Sequence, residues 1–309
     1  MDRLTSMKVF ATVVRLGSFA AAAEELDMSS AMCSKYISDL EKSLNARLLN
    51  RTTRQHSLTE VGSAYLKKVV EILTEVEEAE QCVSELQNDP VGTLRIMSAP
   101  SFGSFHLSRA IKGYKEKYPR VSIELYLSDD FEHLVDLGMD LGIRVKDLED
   151  SSVVALKISS SRLIVCGSPE YLEKNGIPET PHNLKDHVCM SMLDNLIFTP
   201  YWMFNIDGEE TIIHTDSNYL KTNMADSLRV AAMNGSGLVQ LPSYMIGLDI
   251  QAGKLQPVLE QYEPKPTPIN LIYAHRKHMS LKVRSFVDYM KNYFETPPYW
   301  DKWMFEDNK

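Results

Sequence analysis

Four residues fall three, four and seven positions apart, so a helix would carry all of them on one face: Ala31, Ser34, Lys35 and Ser38. This face is small and polar. Short side chains let the backbone approach the bases of a DNA major groove, hydroxyls can hydrogen-bond bases or phosphates, and lysine adds positive charge. The pattern indicates a helix that reads DNA, although taken alone it is also typical of a solvated helix surface.

A basic segment follows this face and favours the DNA interpretation. From Lys42 to Thr59 there are four basic residues and no acidic one. Leucines flank the Arg-Thr-Thr-Arg run at residues 51–54, which predicts a β-hairpin wing that contacts phosphates or the minor groove. The chain carries a net charge of −9, but residues 1–58 hold eight Lys/Arg against six Asp/Glu. The predicted DNA-binding residues are Ser29, Ser30, Ala31, Ser34, Lys35, Ser38, Arg51, Thr52 and Arg54.

Three short helices must position these residues. Gly17 can end the first, Ser18 is a good N-cap for the second, and either Ser29 or Ser30 can cap the third. Apolar residues at helical spacing give each helix a buried face. These residues are Leu4, Met7, Phe10 or Ala11, and Val14, then Phe19, Ala22, Ala23 and Leu26, then Cys33, Ile37, Leu40 and Leu44. Residues 1–58 are therefore predicted to form an all-α winged helix-turn-helix.

This segment resembles the LysR-type transcriptional regulators. The matching residues are Phe10, Gly17-Ser18-Phe19, Ala22-Ala23, Leu26, Ser29 to Lys35, Ile37, Leu40-Glu41, Leu44, Leu48-Leu49, Arg51, Leu58-Thr59 and Gly62. The sequence departs from the family pattern at Ser30, Ala31, Asn45 and Leu49, where the family favours Gln, Pro, Gly and Phe. Ser30 bears most on the choice of operator, because its side chain is shorter. The resemblance implies a regulator that binds double-stranded DNA at an operator with two half-sites.

A heptad pattern occupies residues 59–88. Its apolar residues follow spacings of 4, 3, 4, 3, 4 and 3, and they are Tyr65, Val69, Ile72, Val76, Ala79, Val83 and Leu86. One explanation is an amphipathic helix packed on its own domain. The narrow seam favours a dimerisation helix instead, and the resemblance implies a homodimer through this helix and a homotetramer through the remaining domain. Residues 89–93 are predicted to form a hinge.

Strand-like and helical stretches alternate from residue 94 onward, which is the rhythm of an α/β domain. The predicted strands are residues 94–97, 121–127, 141–145, 163–167, 237–241 and 269–273, and a last helix covers about 280–294. The family's effector domain is periplasmic-binding-protein-like. The resemblance therefore implies a two-lobed effector-binding domain over 94–295, with lobe I at 94–161 and 269–295 and lobe II at 162–268. The tail at 296–309 is rich in aromatic residues and is predicted to pack on this effector-binding domain (the sensor) or on a partner.

The resemblance places a small-molecule effector between the lobes. Its correspondence implies contacts from Ser98, Ser101, Phe102, Ser128, Arg144, Thr222 and Asn223. Strand ends and helix N-termini at such a site favour anions, and an arginine in the cleft would favour a carboxylate, which pairs with guanidinium in bidentate fashion. Alternatively, each hydroxyl could cap a helix and Arg144 could form a surface ion pair.

No residue pattern points to catalysis or to a metal. Cys33, Cys82, Cys166 and Cys189 are scattered without a CxxC pair, which favours reduced, buried thiols over disulfides or zinc, with redox sensing as the lesser alternative. His182, His187 and Cys189 lack zinc-ligand spacing, and there is no phosphate loop, GxSxG or HExxH motif. We expect no cofactor, no metal and no enzymatic activity.

Two rival classes of protein remain. A solute-binding protein with a helical adaptor would usually carry an export signal and needs no basic wing, and a metabolic enzyme would need a catalytic constellation. The sequence shows neither a signal peptide nor an apolar run of membrane-spanning length, so the expected location is the cytoplasm and no membrane partner is expected. A DNA-binding regulator whose binding to DNA changes with an effector fits the sequence best. RNA polymerase is a further candidate partner.

Overall fold

In the computed structural model, the described residues are 2–51, 56–85, 89–129, 131, 137–146, 153–193, 201–215, 219–274, 279–294 and 296–305. The N-terminal head contains the helices and strands predicted from the sequence: α1 (Arg3–Leu16), α2 (Phe19–Glu25), α3 (Ser30–Leu44), β1 (Leu49–Arg51) and β2 (His56–Leu58). The two strands pair antiparallel, so the hairpin of a winged helix-turn-helix is present.

The ends of the head helices follow from their capping residues. Ser29 is the N-cap of α3, because its side chain accepts a hydrogen bond from the backbone N–H of Met32. Gly17 and Asn45 end α1 and α3 in the left-handed conformation, with φ of 63° and 49°. Phe10, Ile37 and other apolar residues of α1, α2 and α3 are buried together in one core.

The long helix α4 (Glu60–Glu85) begins as part of the head. Leu66 and Val69 are buried in the head core, and a side chain at Gly62 would place its Cβ 2.0 Å from the carbonyl oxygen of Leu48. Val69 has no exposed surface, so its assignment to a dimer seam is corrected. It contacts its own domain, as expected from the alternative explanation of the heptad pattern. Tyr65 also packs on this core, with its ring 5.9 Å from that of Phe10.

The sensor contains two five-stranded sheets and a hairpin. Its strands are β3 (Gly92–Ser98), β4 (Val121–Leu127), β5 (Leu141–Val145), β6 (Val153–Ser161), β7 (Leu163–Gly167), β8 (Cys189–Met192), β9 (Tyr201–Ile206), β10 (Glu209–His214), β11 (Lys221–Thr222), β12 (Leu238–Pro242), β13 (Gln256–Val258) and β14 (Thr267–Ala274). The first sheet has the order β4-β3-β5-β14-β6 and the second β11-β8-β12-β7-β13. Strands β9 and β10 form the separate hairpin.

Helices cover both sheets. They are α5 (Pro100–Phe102), which continues through a π turn at Gly103–Leu107 into α6 (Ser108–Lys117), then α7 (Pro169–Asn175), α8 (Ala225–Met233), α9 (Ser243–Gln251) and α10 (Leu281–Tyr293). Short 3₁₀ helices occupy Pro181–Asp186, Glu260–Tyr262 and Tyr299–Phe305. In the described part of the chain, no helix combines the length and the apolar character needed to cross a membrane.

The chain passes twice between the two sheets. It leaves the first sheet after Ser161 and enters the second at Leu163, then leaves β13 at Val258 and re-enters the first sheet at Thr267. The two crossings are joined by Arg162 and Glu263, whose guanidinium and carboxylate form two hydrogen bonds of 2.6 and 2.5 Å. Each sheet with its helices is therefore a lobe, and the two-lobed α/β fold predicted from the sequence is confirmed.

Candidate DNA-binding surface and effector cleft

The candidate DNA-reading face lies on the outer side of α3. Ser30, Ala31, Ser34 and Lys35 are exposed there, and Ser38 is half-buried. The hydroxyl of Ser29 is engaged as the helix cap, so it is held at the N-terminus of this face. Because backbone N–H groups at a helix N-terminus favour phosphate, the position of this end suits a DNA contact.

One carboxylate ties the wing to the recognition helix. The Oε1 atom of Glu41 accepts hydrogen bonds from the backbone N–H groups of Leu48 and Leu49, at 2.8 and 3.2 Å. Both leucines are buried, so their N–H groups would otherwise lack water as a partner. The sequence does not mark this role, because the two partners lie seven and eight positions further along the chain.

The hairpin is also joined to the long helix. The hydroxyl of Thr59 donates to the carbonyl of Arg47 at 2.7 Å and accepts from the N–H of Gly62 at 2.9 Å. Arg51 is the last residue of β1, where it pairs with His56. Thr52 and Arg54, predicted to contact DNA, lie outside the described residues.

The predicted effector residues of lobe I gather at one edge of the first sheet. Strands β3, β4 and β5 are parallel, and the order of the sheet puts β4 and β5 on opposite sides of β3. Ligands of α/β proteins bind outside the carboxyl ends of strands at such a switch point. Ser98 ends β3, Ser128 follows β4, and Arg144 is the penultimate residue of β5.

Two of these residues support the cleft from beneath. Ser98 and Phe102 have no exposed surface, and the backbone N–H of Ser128 donates to the carbonyl of Ser98 at 3.0 Å. The ring of Phe102 packs at 5.5 Å against that of Tyr244. Both side chains are covered by the protein in this structure, so direct effector contacts from Ser98 and Phe102 stay a prediction that requires the lobes to move.

A hydrogen bond crosses between the lobes beside these residues. The hydroxyl of Ser101 in α5 lies 2.9 Å from that of Tyr244 in α9. Burial raises the pKa of Tyr244 to about 12, so its hydroxyl stays protonated. The sequence did not identify Tyr244. Its position two residues after the end of a strand was the only available signal.

Arg144 lies among aromatic and acidic neighbours. Its guanidinium stands 5.6 Å from the centre of the Phe131 ring. Burial raises the pKa of the nearby Asp129 carboxyl, against the attraction of Arg144, which lowers it. A cation at the end of β5 and a carboxyl of raised pKa just after β4, the two strands that flank β3, are polar groups with which a ligand can exchange hydrogen bonds.

The predicted residues of lobe II lie at the end of β11. The hydroxyl of Thr222 accepts a hydrogen bond from the backbone N–H of Met224, which is the N-cap of α8, and Asn223 is exposed between them. The Thr222 hydroxyl therefore stabilises the turn before α8 without capping the helix, and effector contacts from Thr222 and Asn223 stay a prediction. Neither residue has a described contact with lobe I.

Behind the cleft, His106 has a defined tautomer. Its Nε2 lies 2.8 Å from the carbonyl oxygen of Tyr244, which can only accept, so Nε2 carries the proton and Nδ1 accepts from the Tyr299 hydroxyl. Burial lowers the pKa of His106 to about 4. The imidazole is therefore neutral near pH 7.

The three cysteines whose side chains are described have no features of a reactive thiol. Cys33, Cys166 and Cys189 are buried, and burial raises the pKa of each of these thiols. The side chain of Cys82 lies outside the described residues. Within the described ranges, no three metal-ligating side chains form a group that could hold an ion.

The head also contacts the sensor. One guanidinium nitrogen of Arg15 donates to the Tyr126 hydroxyl at 3.2 Å, and the other is paired with Glu25. The Arg15 side chain is 14% exposed, so this contact is largely shielded from water. It connects the end of α1 with the strand β4 of lobe I.

Two family models match this chain. The model for "Bacterial regulatory helix-turn-helix protein, lysR family" matches residues 4–63, and that for "LysR substrate binding domain" matches residues 87–295. The second model alone covers more than half of the 309 residues. The chain therefore belongs to the LysR family of transcriptional regulators, as the residues of the head predicted.

Relatives named as transcription regulators are similar over nearly the whole length. The transcriptional repressor PA14_22550 of Pseudomonas aeruginosa is 33% identical over 298 residues, covering 96% of this chain and 94% of that protein. The regulator CrgA of Neisseria meningitidis is 33% identical over 285 residues, covering 92% and 94%. Because these relatives are regulators, the expectation that the chain is no enzyme is confirmed.

Solved structures show the same architecture. The structure of CrgA matches with a TM-score of 0.62 and 31% identity, over 94% of this chain and 98% of that one. The full-length structure of AphB, a virulence activator of Vibrio cholerae, matches with a TM-score of 0.61 and 28% identity, over 94% of this chain and 98% of that one.

The role of Glu41 can be tested by substitution. Glu41→Ala leaves two buried N–H groups without their acceptor and is expected to destabilise the head by roughly 2 kcal/mol. Hydrogen exchange of the head amides in the full-length protein measures this loss. Glu24→Ala removes an exposed carboxylate from α2 and is the matched control, with an expected change within about 0.5 kcal/mol. Equal protection in the two variants would show that the carboxylate does not hold the wing.

Proposed function

We propose that this LysR-family regulator binds a small carboxylate between its lobes and that its affinity for operator DNA changes in response. The observation that carries the proposal is the meeting of polar groups at the carboxyl ends of β3, β4 and β5, where Ser101 already bonds to Tyr244 of the other lobe. Arg144 supplies the positive charge, and its planar guanidinium suits a carboxylate.

The Ser101–Tyr244 bond gives the ligand a means of acting on the lobes. A ligand oxygen that replaces either hydroxyl as partner would exchange a direct contact between lobes for one through the ligand. Such a ligand can shift the equilibrium between two arrangements of the lobes only to the extent that its affinities for these arrangements differ. The carboxylate is thus expected to prefer the arrangement in which Arg144 and the hydroxyls all reach it.

A contact between Tyr126 and Arg15 connects this site with the head. Tyr126, which accepts from Arg15 of α1, packs on the same cluster of Met97, Met139 and Ile272 as Phe131. Phe131 lies against the Arg144 guanidinium. A ligand that moves Arg144 therefore disturbs a cluster that adjoins the DNA-binding head.

The regulator is proposed to act as a dimer, with two heads on two half-sites. Because the first turns of α4 are buried in the head, the dimer contact is proposed to begin further along, at Ile72, which is 37% exposed, and Val76. The side chains of Ala79 and Val83, and all of Leu86, lie outside the described residues. A tetramer through the sensors, a contact with RNA polymerase and a cytoplasmic location complete the proposal.

DNA binding through α3 is tested by the salt dependence of affinity for DNA from upstream of the gene itself. Lys35→Ala is expected to weaken binding and to reduce the slope of log affinity against log salt by about one, because one phosphate contact is lost. Lys68→Ala, which removes an exposed lysine paired with Glu71 on α4, should leave both values unchanged. An unchanged slope in Lys35→Ala would contradict a phosphate contact at this position.

The effector site is tested by calorimetric titration of the full-length protein with succinate, citrate and benzoate. For any of them that binds, Arg144→Ala is expected to weaken binding at least about tenfold, because a charge-assisted hydrogen bond is lost. Lys146→Ala removes an exposed charge two residues away and should change affinity less than about twofold. If Arg144→Ala binds the carboxylate with wild-type affinity, Arg144 is not part of the effector site. That result would not contradict DNA binding by the head.

A further inference from the structure

The C-terminal segment at residues 296–305 lies beyond the part of the chain that the substrate-binding domain model matches, which ends at residue 295. Its 3₁₀ helix, Tyr299–Phe305, packs against both lobes and against the crossings between them.

Trp300 anchors the segment to lobe I. This indole has no exposed surface, and its ring lies 4.6 Å from that of His106, 5.3 Å from that of Phe294 and 6.3 Å from that of Phe102. His106 and Phe102 belong to the helical turns that follow β3, and Phe294 follows α10. Burial of a whole indole is one of the larger apolar contributions a single side chain can make.

The same residues are joined to lobe II. A Cβ at Gly247 of α9 would lie 2.0 Å from the Trp300 carbonyl oxygen, so only glycine permits this approach. The side-chain amide of Gln251 donates to the Tyr299 carbonyl at 3.0 Å. His106 completes the connection, because its two ring nitrogens bond to the Tyr244 carbonyl of α9 and to the Tyr299 hydroxyl.

The segment also covers the crossings. The guanidinium of Arg162, which is bonded to Glu263, also lies over the ring of Trp303, 5.5 Å from its centre. The Arg162 and Glu263 side chains are 16% and 11% exposed. Shielding from water strengthens an ion pair of this kind, so loss of the segment would weaken the link between the two crossings.

We propose that residues 296–305 form a strap that holds lobe I and lobe II in one relative orientation by packing across the hinge. Rotation of lobe II about the crossings must move α9 against the turns that carry Phe102 and His106. The strap is bonded to both, so it resists that rotation. This restraint is a property of the free protein and does not depend on which effector binds.

The test measures the distance between the lobes in the full-length protein by electron–electron double resonance. Nitroxide-bearing noncanonical amino acids replace Glu116 on α6 and Lys174 on α7, both exposed and on different lobes. Deletion of residues 296–309 and the substitution Trp300→Ala are expected to widen the distance distribution at least twofold. Trp202→Ala is the matched control, because this tryptophan is also buried, with 3% exposed, but packs within lobe II.

Tyr299→Phe keeps the ring and removes only the hydroxyl bonded to His106, so it remains informative if the larger changes prevent folding. It is expected to raise hydrogen exchange about threefold in peptides spanning 159–164 and 257–268. Exchange of those peptides at the wild-type rate, together with an unchanged distance distribution in every folded strap variant, would overturn the proposal. Equal widening in Trp202→Ala would overturn it too, because the effect would then reflect general loosening.

Discussion

The ion pair between Arg162 and Glu263 holds together the two places where the chain crosses between the sheets. Burial raises the pKa of Glu263, and the guanidinium opposes this by stabilising the charged carboxylate. Removal of one partner would leave a largely buried charge uncompensated. This destabilises a fold more than replacing both partners by apolar residues. The placement of each sheet, and hence of the cleft between the lobes, depends on this junction.

The head depends on a second carboxylate in a comparable way. Glu41 satisfies two buried N–H groups where the recognition helix meets the hairpin, and Gly62 allows α4 to approach the same turn. The recognition helix, the strands β1 and β2 and the first turns of α4 are therefore joined in one unit by direct contacts. Because α4 leaves this unit directly, a change in the direction of the long helix reorients the whole DNA-reading face. Arg15 adds a lateral contact to the sensor.

The sequence predicted features that depend on local spacing. The three head helices, the hairpin and six sensor strands follow from apolar periodicity and capping residues such as Gly17 and Ser18, and the family resemblance implied the two lobes. Contacts that join distant positions were not predictable, because no periodicity marks them. Ser101 and Tyr244, 143 positions apart, and Trp300 with its partners are of this kind. Val69 was misassigned because a heptad seam looks the same whether its partner is another chain or its own domain.

The cleft and the DNA-binding head are proposed to be coupled, and thermodynamic reciprocity gives the sharpest test of this coupling. Affinity for labelled upstream DNA is measured by fluorescence anisotropy with and without a saturating carboxylate, and affinity for that carboxylate is measured by calorimetry with and without DNA. If the two sites are coupled, both affinities change by the same factor, on the order of fivefold or more. A carboxylate that binds in the cleft while both factors stay at one would contradict it.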